Sequence, residues 1–308
     1  MTTISGTIKG VSALLTLCAT TIVLTSVVCI LALGKFLSPT EAARDWIRRL
    51  LARIAETWIS INNFALSRYA NTDWDIEIPD GLDREGCYLV NCNHQSWVDI
   101  PVLQLCFNRR LPLLRFFIKS QLIWVPFLGV AWWALDFPFM RRMSKEQLAR
   151  NPHLKGKDLE NARKACEKFR SIPVAMMNFP EGTRFTVSKR DSGNSPYENL
   201  LFPRIGGIGQ VLYALADQLD ALVDVTIVYP AMGRTGSAPT LWQLVSGQVS
   251  RIIVRAQLHE IPDHLRGKDF RADLESRREL ETWVNQLWRD KDRLIAEINA
   301  SGLSRSEA

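Results

Sequence analysis

From Gly10 to Gly34 the chain carries no charged residue; Lys9 stands before this apolar run and Lys35 after it. As an α-helix the run is about 37 Å long, more than the roughly 30 Å hydrocarbon core of a bilayer. A secretory signal would show an apolar stretch of about 7–15 residues closed by a small-residue cleavage site. Here Lys35 and Phe36 follow instead. The run therefore reads as one retained transmembrane helix, residues 10–34. Lys9 is the only basic side chain before it, whereas Lys35, Arg44, Arg48, Arg49 and Arg53 follow closely. The positive-inside bias then places the rest of the chain in the cytoplasm, single-pass and membrane-anchored, at the inner or plasma membrane if the chain is bacterial.

A single span does not make a polytopic protein. With mean hydropathy −0.03, 47% hydrophobic and 23% charged residues, the chain is neither disordered, fibrous nor a bundle of spans. Residues 40–70 repeat apolar positions at three-to-four spacing (Trp46, Ile47, Leu50, Leu51, Ile54, Trp58, Ile61, Phe64), which predicts an amphipathic linker helix. It could lie on the bilayer or pack on the domain. Residues 71–308 form the third unit, one folded domain without a Gly/Ser/Pro-rich divide.

That unit alternates short apolar runs with longer amphipathic ones, the pattern of an α/β domain with a mixed, mainly parallel sheet flanked by helices. Strands are expected at 87–92, 115–118, 135–140, 173–179, 222–229 and 249–258. Helices are expected at 95–108, 120–132, 156–170, 206–219 and 270–300. The six cysteines form no CxxC or His-paired spacing, so no metal is expected. The cluster Gly206-Gly207-Ile208-Gly209 fits neither nucleotide-loop pattern, so neither a nucleotide cofactor nor a nucleic-acid partner is expected.

The formal charge of +6 is concentrated. Residues 100–150 hold Arg109, Arg110, Arg115, Lys119, Arg141, Arg142, Lys145 and Arg150 against Asp136 and Glu146, which accounts for the whole surplus. Within this stretch SQLIWVPFLGVAWWAL is uncharged and carries Trp124, Trp132 and Trp133. Two readings stand for it: a buried core helix, or a surface dipping into the lipid interface with its tryptophans at headgroup depth and cations drawn to anionic lipid.

Two motifs carry chemistry. Strand 87–92 runs into Asn93-His94-Gln95-Ser96-Trp97-Val98-Asp99. A carboxylate beside a histidine fixes the ring tautomer and frees the other nitrogen as a base. Five positions along a regular helix put two side chains about 140° apart, so His94 and Asp99 meet only if His94 lies in the turn before the helix. After strand 173–179 comes Phe179-Pro180-Glu181-Gly182-Thr183-Arg184, where a guanidinium offers planar recognition of phosphate. No Gly-x-Ser-x-Gly elbow occurs, which argues against a serine hydrolase.

Together these blocks resemble the glycerolipid (1-acylglycerol-3-phosphate, or lysophospholipid) acyltransferases, marked by a His-x4-Asp motif. The first block of that family matches Asn93 to Asp99. Its next block resembles Phe139-Met140-Arg141-Arg142, with Arg142 the better match. The third matches Phe179 to Arg184 at every position. The fourth resembles Thr226-Ile227-Val228-Tyr229-Pro230, with Tyr229 departing from the commoner small residue. Leu201-Phe202-Pro203-Arg204 is similar to a longer-loop branch and hints at an acceptor beyond plain lysophosphatidate.

The resemblance implies acyl transfer from acyl-CoA or acyl-carrier protein, as co-substrate, to the free hydroxyl of a lysophospholipid, most simply 1-acylglycerol-3-phosphate. It makes His94 and Asp99 catalytic, His94 as general base, with no role for Ser96 as nucleophile. It makes Arg142, Glu181, Gly182, Thr183 and Arg184 substrate-binding. The partners are then membrane phospholipid, lysophospholipid and the donor, with no resident cofactor. Another headgroup, or a hydrolase or transacylase using the same pair, is the alternative.

Overall fold

The computed structural model describes residues 4–125, 127–140, 166, 169, 172–230 and 238–304. The apolar run lies within a longer helix, α1 (Ile4–Leu37), that turns at Pro39 into α2 (Glu41–Tyr69). Thr40 caps α2 by accepting a hydrogen bond from the Ala43 N–H. The two helices are antiparallel: Thr20 donates to Asn62, and Gly34 lies against Ile47.

α1 does not stand apart from the domain. Its small residues Gly6, Gly10, Ala13 and Ala32 face inward, while Ile8, Leu15, Ile22, Ile30, Leu33 and Phe36 form an exposed outer stripe. A Cβ at Gly10 would sit 2.9 Å from the Trp242 ring, so only glycine allows this approach. At the other end Lys35 is buried and its ammonium reaches Asp136 Oδ2 and the Ala134 carbonyl, both at 2.9 Å. The amphipathic pattern of 40–70 is thus used for packing, with α2 burying Ile47, Leu51, Ala55 and Ile59.

The body is a six-stranded sheet. β1 (Asp73–Glu77) precedes β2 (Cys87–Cys92), α3 (Asp99–Phe107), β3 (Leu114–Phe116) and β4 (Ile118–Lys119). A 3₁₀ turn and α4 (Leu128–Ala134) lead to β5 (Phe139–Met140), which pairs with β4 alone. Then come β6 (Val174–Asn178), α5 (Val187–Ser192), α6 (Gly206–Leu215), β7 (Ala221–Val228), α7 (Leu241–Val245), β8 (Arg251–His259) and α8 (Leu274–Ser304). The order is β1-β8-β7-β2-β6-β3, parallel except for the antiparallel β7/β8 pair, as expected of a mixed, mainly parallel sheet.

Every residue of β2 and β7 is buried, because helices cover both faces. One face carries Val90, Val102, Val225 and Ile227; the other carries Leu89, Met176, Leu222, Leu280 and Trp288. Burying each such aliphatic side chain contributes about 1.5–3 kcal/mol. Because β2, β6 and β7 are parallel, their C-terminal ends open on one edge. That edge gathers residues 93–99, 179–184 and 229.

Several expectations change. The helix expected at 95–108 begins only at Asp99, and 120–132 is not one core helix. Trp124 is 85% exposed and Phe127 67%, with Trp133 partly exposed, so the buried-helix reading fails for this segment. The chain here folds tightly back on itself: a Cβ at Gly129 would lie 1.9 Å from the Ile123 carbonyl oxygen. Arg115, counted with the surface cations, is buried; its Nε donates to the Leu135 carbonyl, and burial lowers it to about 10. Most of the helix expected at 156–170 lies outside the described residues. β1 is not among the expected strands although DWDIE alternates strictly, with Trp74 and Ile76 packed against the core; Arg251 and Arg255 of β8 also hold it, pairing with Asp75 at 2.6 and 2.9 Å.

Candidate active site

Beyond Cys92 the chain leaves the sheet, and the buried Asn93 amide replaces the missing ladder. Its Nδ2 donates to the Ile227 carbonyl at 2.9 Å and its Oδ1 accepts the Ile227 N–H at 2.8 Å. This stitch fixes where the next residue begins. The His94 backbone is then clamped from both sides, its N–H donating to Glu181 Oε1 and its carbonyl accepting the Phe185 N–H, each at 2.7 Å. The imidazole stacks on Phe179, with centroids 4.1 Å apart.

His94 lies in the loop before α3 and Asp99 is the first residue of that helix, the arrangement their spacing requires. His94 Nδ1 is 2.8 Å from Asp99 Oδ2. The same oxygen accepts the N–H groups of Gln95 (2.7 Å) and Ser96 (2.9 Å). Asp99 Oδ1 accepts the Tyr229 hydroxyl at 2.6 Å. A carboxylate receiving four donors is an acceptor, which assigns the Nδ1 proton to His94 and leaves Nε2 as the basic nitrogen. Nε2 has no hydrogen-bond partner among the described residues. The Ser96 hydroxyl is buried, donates to the Pro239 carbonyl and accepts the Val98 N–H, so it has no free nucleophilic role.

The loop after β6 carries Glu181 to Arg184. Glu181 is 1% exposed, and its oxygens accept the backbone N–H groups of His94 and, at 2.9 Å, Leu201. Burial raises its carboxyl to about 7, the two backbone donors pulling the other way. Both oxygens of Glu181 are thus engaged in holding the loop to the His94 and Leu201 backbone. Gly182 has φ +70, a backbone conformation that favours glycine, and the Arg204 side chain lies 3.3 Å from where its Cβ would be.

Thr183 Oγ1 and the Arg184 carbonyl both accept from Lys189 Nζ, at 2.9 and 2.8 Å. The Arg184 guanidinium lies 5.1 Å from the exposed Trp97 ring. Arg142 lies outside the described residues. Arg184, Lys189, Gln95 and Trp97 line a mostly apolar cavity of about 810 Å³ that Leu17 of α1, Leu66 of α2 and Ile100 of α3 close on the other side. Among the described residues no group of three His, Cys, Asp or Glu is arranged to hold a metal.

Sequence reasoning gives no role to Asn93, Lys189 or Phe179 and counts Tyr229 against the fourth block. A signal for Asn93 does exist: a polar residue directly after a largely apolar strand must replace lost ladder bonds. Another buried polar pair has no such signal. Lys291 of α8 reaches Asp224 of β7 at 3.0 Å and also bonds the Val225 carbonyl and Thr226 hydroxyl, tying the last helix to the sheet behind the site.

Residues 74–229, half of the chain, match the Acyltransferase family. Among relatives, 2-acyl-1-lysophosphatidylinositol acyltransferase of Saccharomyces cerevisiae is 26% identical over 68% of this chain and 61% of its own length. Lysocardiolipin acyltransferase 1 of Gallus gallus is 25% identical over 89% and 70%. 1-acyl-sn-glycerol-3-phosphate acyltransferase epsilon of Mus musculus is 24% identical over 67% and 56%. The chain thus spans between 56% and 70% of the length of these proteins. The crystal structure of the 1-acyl-sn-glycerophosphate acyltransferase PlsC from Thermotoga maritima superposes with TM-score 0.51 over 95% of this chain and 98% of that one, at 16% identity, a likeness of fold.

Proposed function

This chain belongs to the acyltransferase family, and from that premise we propose that it moves a fatty acyl group from a thioester donor to the free hydroxyl of a lysophospholipid. The observation that carries the reading is the Asp99–His94 pair, with Nε2 unpartnered among the described residues and the next residues, Gln95 to Trp97, lining a largely apolar cavity that carries two cations. The acceptor hydroxyl gives its proton to Nε2 as its oxygen attacks the thioester carbonyl. The tetrahedral adduct collapses, the carbon–sulfur bond breaks, and the imidazolium returns the proton to the leaving thiolate. Direct attack needs no acyl-enzyme, consistent with the engaged Ser96 hydroxyl. Asp99 stabilises the imidazolium that forms.

Arg184, steadied by Trp97, takes the acceptor phosphate, with Arg142 as its expected partner from the Phe139–Arg142 block. The donor is acyl-CoA or acyl-carrier protein. Relatives that act on lysophosphatidylinositol, lysocardiolipin and 1-acylglycerol-3-phosphate make the acceptor headgroup the variable part.

α1 is the membrane element. It is long and apolar enough to cross a bilayer, and its exposed stripe faces the acyl chains while the opposite face holds the domain. Trp124 and Phe127 extend the same apolar surface toward headgroup depth. The test is labelled acyl-CoA with a panel of lysophospholipids: product should form with at least one acceptor, and thioester loss should depend on it. Thioester loss at the same rate without any acceptor would make the protein a hydrolase.

A further inference from the structure

We propose that Tyr229 is a positioning residue of this site, its hydroxyl holding the Asp99 carboxylate in the orientation that aligns the His94 ring. The proposal rests on reading His94 as the general base.

The geometry separates the two oxygens of Asp99. Oδ2 collects three donors from the five residues just before α3: His94 Nδ1, the Gln95 N–H and the Ser96 N–H. Oδ1 accepts from the Tyr229 hydroxyl, delivered from the end of β7 and 130 positions away in sequence. Asp99 is fully buried, so water does not replace that donor. Without it the carboxylate is held along one side only and is free to turn about its Cβ–Cγ bond. Turning it would move the oxygen that orients His94.

The hydroxyl acts as a donor throughout the neutral range. Tyr229 is buried among Cys92, Val225 and Ile227, and burial, followed by the charge of Asp99, raises it well above its usual 10.0. The other titratable groups around Asp99 are Cys92 of β2, Cys106 of α3, Glu181 after β6 and Lys291 of α8. Burial keeps both thiols neutral, Cys106 at about 12. Lys291 is committed to Asp224. Glu181 is the neighbour that changes charge near neutrality, and it is present in parent and variant alike, so its contribution cancels.

A task thereby falls to the residue by which the fourth block departs from the small side chain of the family it resembles. A small residue there could not reach Asp99. In this chain β7, and through Lys291 also α8, is coupled to the catalytic loop.

The test is Tyr229→Phe, which keeps the ring and removes one oxygen. Relieved of a donor, Asp99 presents more negative charge to the ring and favours imidazolium, the inactive form of the base. The kcat should fall about tenfold, with both KM values within about twofold of the parent. The acid limb of the kcat–pH profile should move up by about half a unit. In an Asp99→Asn background the same change should cost nothing further, because the hydroxyl acts through Asp99. Replacing Tyr229 with a ring-fluorinated tyrosine strengthens the donor without changing the packing and should move the acid limb down, which keeps the test decisive if Tyr229→Phe fails to fold. An unmoved acid limb, or an equal loss in the Asp99→Asn background, overturns the proposal. If His94→Ala abolishes transfer while Tyr229→Phe leaves both kcat and the acid limb unchanged, only the role of Tyr229 falls. If His94→Ala remains active, the general-base reading falls with it.

Discussion

Two buried carboxylates hold His94, and they do so from opposite ends of the residue. Asp99 holds the ring through Nδ1, whereas Glu181 holds the backbone through the His94 N–H. Asp99 receives four donors, three of them from its own loop; Glu181 receives two, from segments 87 and 20 positions away in sequence. Both residues occur in short motifs that resemblance alone would call functional. In the proposed mechanism the difference is between a group that stabilises charge during the reaction and a group that fixes the loop carrying the base.

Substitution should separate the two. The largest effect is expected from Asp99→Asn, which removes the charge facing the imidazolium: kcat should fall about 10³-fold with the KM for acceptor nearly unchanged. Glu181→Gln comes next. An amide turns an N–H₂ toward one of the two backbone N–H groups, which costs about 1–3 kcal/mol and loosens the loop. Because Arg184 rides on that loop, this variant should lower kcat about 10-fold and also raise the acceptor KM, a signature Asp99→Asn lacks. Arg184→Ala should raise the acceptor KM about tenfold and leave the donor KM alone.

The smallest effect is one of stability against pH. The folded carboxyl of Glu181 sits at about 7 against an ordinary value of 4.5. The folded state therefore binds the proton more tightly, and this contribution is present in full below about 4.5 and lost as pH rises through about 7. Thermal melting of the parent should show that decline, and Glu181→Gln should flatten it. An equal decline in the variant would assign the slope to another group.

The catalytic edge is legible because its signals are local. A largely apolar strand followed by Asn93-His94, and Glu181-Gly182-Thr183-Arg184 after another, can be read from types and spacing, and the parallel sheet brings those strand ends together. What the sequence hides depends on partners far along the chain. Glu181 resembles a substrate contact because nothing local shows that the His94 and Leu201 N–H groups occupy it. Tyr229 resembles a mismatch because its partner lies 130 positions earlier. Arg115 belongs by sequence to a surface patch until the Leu135 carbonyl and burial claim it. The run 10–34 announces an apolar helix, but its glycine and alanine face, which seats it against Trp242 and α2, becomes meaningful only once the domain is folded.

The whole mechanism turns on His94 Nε2 as the base. Single-turnover transfer from labelled acyl-CoA to a productive lysophospholipid should be compared between the parent and His94→Ala at equal membrane binding and equal melting temperature. A rate lower by about 10³-fold or more is expected. A His94→Ala rate within a few-fold of the parent would contradict it.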